Sequence, residues 1–298
     1  MAGLVISCMI LGLFLAGLQL ISTFSGYDQV RIELSISWVV VSLILLMVYL
    51  ISAVAWNVQL KVLRRDRRLI DAICDMGFIA VGKYVPGKVL GILARGAKNI
   101  AVSDNNAASL YFSAIDQVGL LFTGLYFSLF LFLVSQWNYS AIELVGLSLA
   151  LFYLCYSSLR LLYFFYSFLG GSKTISLRYA KNYTFFAQVS GLFLIIWILT
   201  SFSLYPLLPD YLEDGEKFQI ISIFCISIVG GWVAVFVPAG VGVREGLFVI
   251  MSGAIIPLDI ALTIAAGHRI IAISVDVLFS GACILIMYNQ QKKGGSYD

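Results

Sequence analysis

Charge is scarce in this chain: Asp, Glu, Lys and Arg make up 12% of its 298 residues, against about 25% in an ordinary globular protein. So few polar side chains cannot cover a water-facing surface, which excludes a soluble enzyme, a disordered regulator and a nucleic-acid-binding domain. Histidine occurs once, at His268, which argues against a His-based metal centre; no metal and no cofactor is expected. The cysteines Cys8, Cys74, Cys155, Cys225 and Cys283 stand singly with no C-x-x-C pair, the pattern of buried, inert thiols. No G-x-x-x-x-G-K-[ST] run occurs, so direct coupling to ATP is not expected. No Lys or Arg precedes Arg31, so Met1 to Gln19 lacks the basic start of a secretory signal and reads as a retained first span.

What the chain has instead is hydrocarbon. Apolar residues reach 61% and mean hydropathy is +0.97, which marks an integral membrane protein. A bilayer core of about 30 Å needs about 20 residues of helix. Six segments meet or approach that length: Gly3–Phe24, Ile36–Val54, Gln117–Val134, Leu144–Tyr163, Ala187–Leu204 and Phe218–Val235. Their apolar runs do not alternate, so they are helices rather than barrel strands. Trp38 and Trp56 bracket the second, as interfacial aromatics do.

Loop charge sets the orientation. Lys61, Arg64, Arg65, Arg67 and Arg68 follow the second span against Asp66 alone, and Lys173, Arg178 and Lys181 follow the fourth. Asp210, Glu213, Asp214 and Glu216 face only Lys217 between the fifth and sixth. Positive loops stay inside, which predicts a cytoplasmic N-terminus and a short polar cytoplasmic tail over Asn289–Asp298. Residues 1–298 read as one membrane domain, with halves at 1–135 and 136–298. Asn182-Tyr183-Thr184 matches a glycosylation pattern but falls in a loop assigned to the cytoplasm, so it reads as a chance match.

Two regions resist assignment as simple spans. Gly82-Lys83-Tyr84-Val85-Pro86-Gly87-Lys88 is followed by Arg95 and Lys98, and Phe236-Val237-Pro238-Ala239-Gly240-Val241-Gly242 by Arg244 and Glu245. Each places an aromatic-Val-Pro-small core inside apolar sequence, and together they suggest an inverted repeat. Paired Gly/Pro-interrupted segments point to a transporter's central site, because unwound backbone at membrane depth must line a cavity or be buried in protein. Two interfacial loops with unrelated prolines would give the same pattern, and both readings stay open here. Tyr84, Pro86, Gly87, Pro238, Gly240 and Gly242 are the broken-helix candidates.

Cations in or beside apolar sequence narrow the choice. Lys83, Lys88, Arg95, Arg244 and Arg269 cannot all face lipid near the midplane, where each costs about 2.5–3.5 kcal/mol. Lys83 and Lys98 are expected to snorkel toward the surface. The others converge on a cavity or pair with Asp116, Glu245 and Asp276. In the last stretch, a short helix to Ile256 followed by one long helix from Leu258 to Tyr288 would embed Arg269. The alternative makes Pro257 a kink and Gly267-His268-Arg269 an outer turn. The first version gives about eight membrane helices in all.

At these residues the chain resembles the lysylphosphatidylglycerol synthase/flippase transmembrane family of bacterial and archaeal inner membranes. The carriers are Tyr84-Val85-Pro86-Gly87-Lys88 with Arg95, Asp116 opening a span, the run Pro238 to Gly246, and Arg269. The resemblance implies a multi-helix domain that moves aminoacylated phosphatidylglycerol between leaflets; other relatives accompany polysaccharide or lipid-linked sugar pathways. Two departures stand out. Only about ten residues follow the last apolar run, so no aminoacyl-transfer domain and no lipid synthesis are expected, and Asp116 lacks the arginine that often accompanies the family's acid.

Three functions follow as expectations. The first is a translocase for a phosphate-bearing lipid, with Lys88, Arg95, Arg244 and Arg269 holding the headgroup. Asp116, Glu245 and Asp276 would neutralise these cations when the site is empty. In this version Arg95 and Arg244 enclose one wet pocket where the two breaks meet. The second is a non-catalytic partner of a glycosyltransferase or envelope-polysaccharide system. The third, an embedded transferase, would need Asp116 and Glu245 as its carboxylates.

Overall fold

The computed structural model describes residues 36–62, 68–85, 89–99, 108–136, 140–168, 182–234 and 236–294. The expected first span, Gly3–Phe24, lies outside the described residues, as do Cys8, Pro86, Gly87 and Lys88. The described residues form an all-α membrane protein: α1 (Ile36–Val62), α2 (Leu69–Gly82), α3 (Val89–Lys98), α4 (Ala108–Gln136), α5 (Ala141–Phe168), α6 (Tyr183–Phe202), α7 (Asp214–Val233), α8 (Val243–Ser252) and α9 (Leu258–Gly294). Short 3-10 turns occupy Tyr205–Leu207 and Pro238–Gly240.

Six of these helices, α1, α4, α5, α6, α7 and α9, are long and apolar enough to cross a membrane. Five begin or end beyond the apolar windows, and in α1 and α4 the added turns carry buried polar groups. In α1 the extension brings in Gln59, and in α4 it brings in Ser109, Ser113 and Asp116, all buried. Apolar windows miss such turns because hydropathy counts a satisfied polar side chain as if it faced lipid. The final helix runs unbroken through His268 and Arg269, so these residues form no outer turn. It also continues through Gly294, so residues 289–294 of the polar tail are helical.

Helix α4 packs along α7, α9 along α2, and α1 along α6. Small residues permit the closest approaches. A Cβ on Gly124 would sit 1.9 Å from the ring of Trp197, whose indole N–H donates to the Leu120 carbonyl at 2.8 Å. Gly124→Ala is therefore expected to displace Trp197 and destabilise the fold by about 1–3 kcal/mol, read as a lower Tm in detergent with red-shifted tryptophan emission. Helix α5 lies at the rim and exposes Ile142, Leu149, Tyr153, Leu161 and Phe164, side chains suited to lipid. Asn182 caps α6 by accepting from the Phe185 N–H at 3.1 Å. Cys74, Cys155, Cys225 and Cys283 are buried free thiols, and Cys74 meets Cys283 between α2 and α9.

Candidate functional site

Each break has a physical cause in small residues. Gly82 ends α2, and Tyr84 and Val85 close turns onto Val81 and Gly82 at 3.1 and 3.3 Å. The chain then returns as α3 so tightly that a Cβ on Gly82 would lie 2.3 Å from the Gly91 Cα. In the second break Ala239, Gly240 and Gly242 take φ of 50°, 70° and 79°, a left-handed run that only small residues tolerate well. Gly240 also lies against Gly231, whose carbonyl oxygen a Cβ would approach to 2.7 Å. The two breaks touch: the Ala239 N–H donates to the Lys83 carbonyl at 2.7 Å.

Beside this contact lies a cavity of about 180 Å³, lined by Tyr49, Lys83, Asp116, Arg244, His268 and Asp276 among others. It has room for about six waters. A second, mainly apolar groove of about 290 Å³ runs past Val89, Ile92, Val118 and Leu121. Ile79, Lys83, Gln117 and Trp232 line both, so polar chamber and apolar groove share a wall.

Asp276 is the coordinated acid on α9. Lys83 Nζ lies 2.6 Å from it, and the hydroxyls of Tyr49 and Tyr84 both donate to it. Lys83 therefore does not snorkel. Its ammonium turns inward to a carboxylate on α9 while 38% of its side chain stays accessible. Lys98 likewise pairs with Asp75 at 2.7 Å instead of reaching a surface.

Arg244 places Nη2 3.1 Å from His268 Nδ1 and stacks its guanidinium on Phe224. A guanidinium can only donate, so Nδ1 accepts and the ring proton sits on Nε2. Nε2 is then the donor to Ser203 Oγ at 2.8 Å, and Ser203 donates onward to the Thr200 carbonyl at 2.6 Å. The Ser–His contact is thus polarised against nucleophile activation, since the histidine cannot accept the serine proton. Among the described residues Arg244 has no carboxylate within ion-pairing distance.

Arg269 is 6% exposed. Its Nη1 donates to the Ala239 carbonyl at 3.2 Å and lies 3.7 Å from Glu245 Oε1, while Nε and Nη2 have no partner among the described residues. Glu245 Oε2 caps α8 by accepting from the Gly242 N–H at 2.7 Å.

Arg95 departs from the expected headgroup role. It is fully buried behind Asp116, is not itself a lining residue of the cavity, and is committed internally. Nη1 pairs with Asp116 at 2.8 Å, and Nε and Nη2 donate to Ser113 Oγ and O, both at 2.9 Å. Its plane rests on Trp56, 4.1 Å from the ring centroid. Asp116 also accepts from Gln59 at 2.5 Å and Gln117 at 3.0 Å, and Tyr163 donates to Gln59 at 2.9 Å. A second buried acid, Asp75, accepts from Trp56, Lys98 and Asn99. This layer staples α1 to α5 together. Among the described residues Arg95 does not share this cavity's lining with Arg244; Lys83 and Arg244 are the cations that line it. Of Asp116 and Glu245, the two carboxylates an embedded transferase would need, only Asp116 lines the cavity. Among the described residues no group of three or more His, Cys, Asp or Glu could hold a metal ion.

Tyr49, Lys83, His268, Gln59 and Asp75 carry this architecture and were given no such part by their sequence. One signal was available: Tyr49, Ser52, Trp56 and Gln59 recur at helical spacing, a polar stripe on an otherwise apolar helix. Sequence and fold together define the class, an all-α membrane protein with two broken elements joined at a charged cavity. No protein-family model, curated protein or solved structure matches the chain.

Proposed function

We propose that the protein translocates a phosphate-bearing lipid between the leaflets of a bacterial or archaeal inner membrane, with its N-terminus in the cytoplasm. One observation carries this reading: a chamber containing Lys83 and Arg244 shares a wall with an apolar groove beside the lipid-facing α4. An amphipathic ligand needs both, a polar place for its headgroup and an apolar lane for its acyl chains. Arg244 supplies a donor fork for phosphate, and Arg269, behind the chamber lining on α9, has N–H groups unpartnered among the described residues.

The fuller topology belongs to the same proposal. About eight membrane-embedded helices would comprise the spans, the α2–α3 hairpin and α8, with the two breaks as halves of an inverted repeat. The glycine pairs Gly82/Gly91 and Gly231/Gly240 support it, since each break closes on a glycine contact at the same spacing. Rocking of one half against the other would expose the chamber to each leaflet in turn. The resemblance to the lysylphosphatidylglycerol synthase/flippase family agrees with this reading.

Arg244→Ala is expected to lower flipping of fluorescent phosphatidylglycerol in reconstituted vesicles at least about tenfold, the loss of one charge-assisted contact. The variant's thermal unfolding should stay close to that of the unaltered protein. Unchanged flipping would reject the assignment. A second reading, a non-transporting partner of an envelope-polysaccharide enzyme, draws on the Arg95–Asp116 network, which is structural. Stoichiometric co-purification of a glycosyltransferase with a flipping-inactive protein would favour it.

A further inference from the structure

The charges around the chamber fix a preference that goes past "phosphate-bearing", and the argument rests on the translocase reading only for where the ligand sits. Lys83 is matched by Asp276 and Arg269 by Glu245. Arg95 and Lys98 are matched by Asp116 and Asp75 in the neighbouring layer. His268 is neutral, because it accepts from Arg244, and Tyr49 and Tyr84 are bound as neutral donors to Asp276. Among the described residues this leaves Arg244 as the one cation in the site without an ion pair. The charges of Arg269, Glu245 and Asp276 all act on it, so the described site as a whole carries a single positive charge in excess.

We infer that the site selects a lipid whose headgroup is a phosphodiester with a single net negative charge and no ammonium group. Such a headgroup brings the described site to neutrality, whereas an uncompensated charge in a low-dielectric chamber is strongly unfavourable. A pyrophosphate would overshoot to a net negative site. A zwitterionic headgroup would leave the excess in place, and an aminoacylated, net cationic one would add to it. Asp276 is filled by Lys83 and two tyrosines, while Glu245 Oε1 lies 3.7 Å from Arg269 and accepts no hydrogen bond among the described residues. The donors suit the phosphodiester: Arg244 lines the chamber, and Arg269, outside that lining and more than nine-tenths buried, has Nε and Nη2 without partners among the described residues. The preference runs against the cationic lysyl-lipid that the family resemblance suggests.

The test uses the full chain in nanodiscs containing equal parts phosphatidylglycerol, phosphatidylethanolamine and lysylphosphatidylglycerol, with retained lipid counted by native mass spectrometry. Phosphatidylglycerol should be retained at least about tenfold over the other two, the scale of one charge-assisted contact. Arg244→Gln should collapse that ratio toward unity, and Glu245→Gln, which raises the site's charge, should shift preference toward a lipid pyrophosphate added to the mixture. A purely structural arginine would produce neither change in selectivity. Equal retention of the three lipids, or a preference for the lysyl-lipid, overturns the inference on the unaltered protein alone, whether or not the variants fold. Displacement of bound lipid by equimolar glycerophosphoglycerol overturns the lipid as the source of the phosphodiester. Retained preference without any flipping supports this inference while rejecting transport; flipping that ignores headgroup charge does the reverse.

Discussion

Asp116→Asn is expected to be among the most damaging single changes in this protein. It removes the counter-charge of Arg95, which is completely enclosed and 2.8 Å away. Breaking a buried pair from one side costs about 3–5 kcal/mol, because the remaining ion is left uncompensated in a medium that cannot solvate it. The stacked Trp56 ring and the Ser113 acceptors hold Arg95 in place, so it cannot swing out to water. The double variant Arg95→Met with Asp116→Asn should lose less than Asp116→Asn alone, since no charge is stranded and the amide oxygen introduced on α4 can still accept from Gln59. Thermal unfolding of the three purified proteins in one detergent measures this. A double variant at least as unstable as the single one would show that the charge pair is not the source of the loss.

Gly82→Ala should be comparably severe for a different reason. The added methyl group would sit 2.3 Å from the Gly91 Cα and 2.5 Å from its nitrogen, against backbone that has no rotamer with which to yield. Overpacking typically costs about 1–3 kcal/mol and more where backbone must move, so about 3 kcal/mol or more is expected. The displacement would also pull Lys83 and Tyr84 away from Asp276. The variant should therefore lose both Tm and lipid retention, whereas Gly146→Ala, at a site with open space around it, should change neither. Equal effects of the two substitutions would remove the close approach of α2 and α3 as the explanation.

The spans and breaks could be read from sequence because their causes are local. A membrane helix is a run of hydrocarbon, and Pro238 with Gly240 and Gly242 interrupts one wherever it stands. The pairing of charges was less legible. Lys83 finds Asp276 from the other end of the chain, and nothing beside Lys83 distinguishes it from a lysine reaching for a headgroup layer. Arg95 shows the same limit. Its sequence setting, an arginine in a short amphipathic helix after a Pro-Gly break, suits a ligand contact as well as a staple. The choice was made by Trp56 and Ser113, residues on two other helices. Polar stripes were the overlooked clue. Ser109, Ser113 and Asp116 follow helical spacing on α4 just as Tyr49, Trp56 and Gln59 do on α1, and both stripes point into the protein.

The hydrogen bond from Ala239 to Lys83 has an experimental consequence. Its donor and acceptor both belong to the main chain, so ordinary side-chain scanning would pass over the point where the two interrupted segments join. Proline would remove the N–H, but its ring fixes φ near −65°, whereas Ala239 sits at +50°, and the replacement would distort the turn it was meant to probe. An amide-to-ester exchange at residue 239, made by semisynthesis, would delete the donor while keeping every side chain. The weight this link carries between the two interrupted segments is open to chemistry rather than to codon changes.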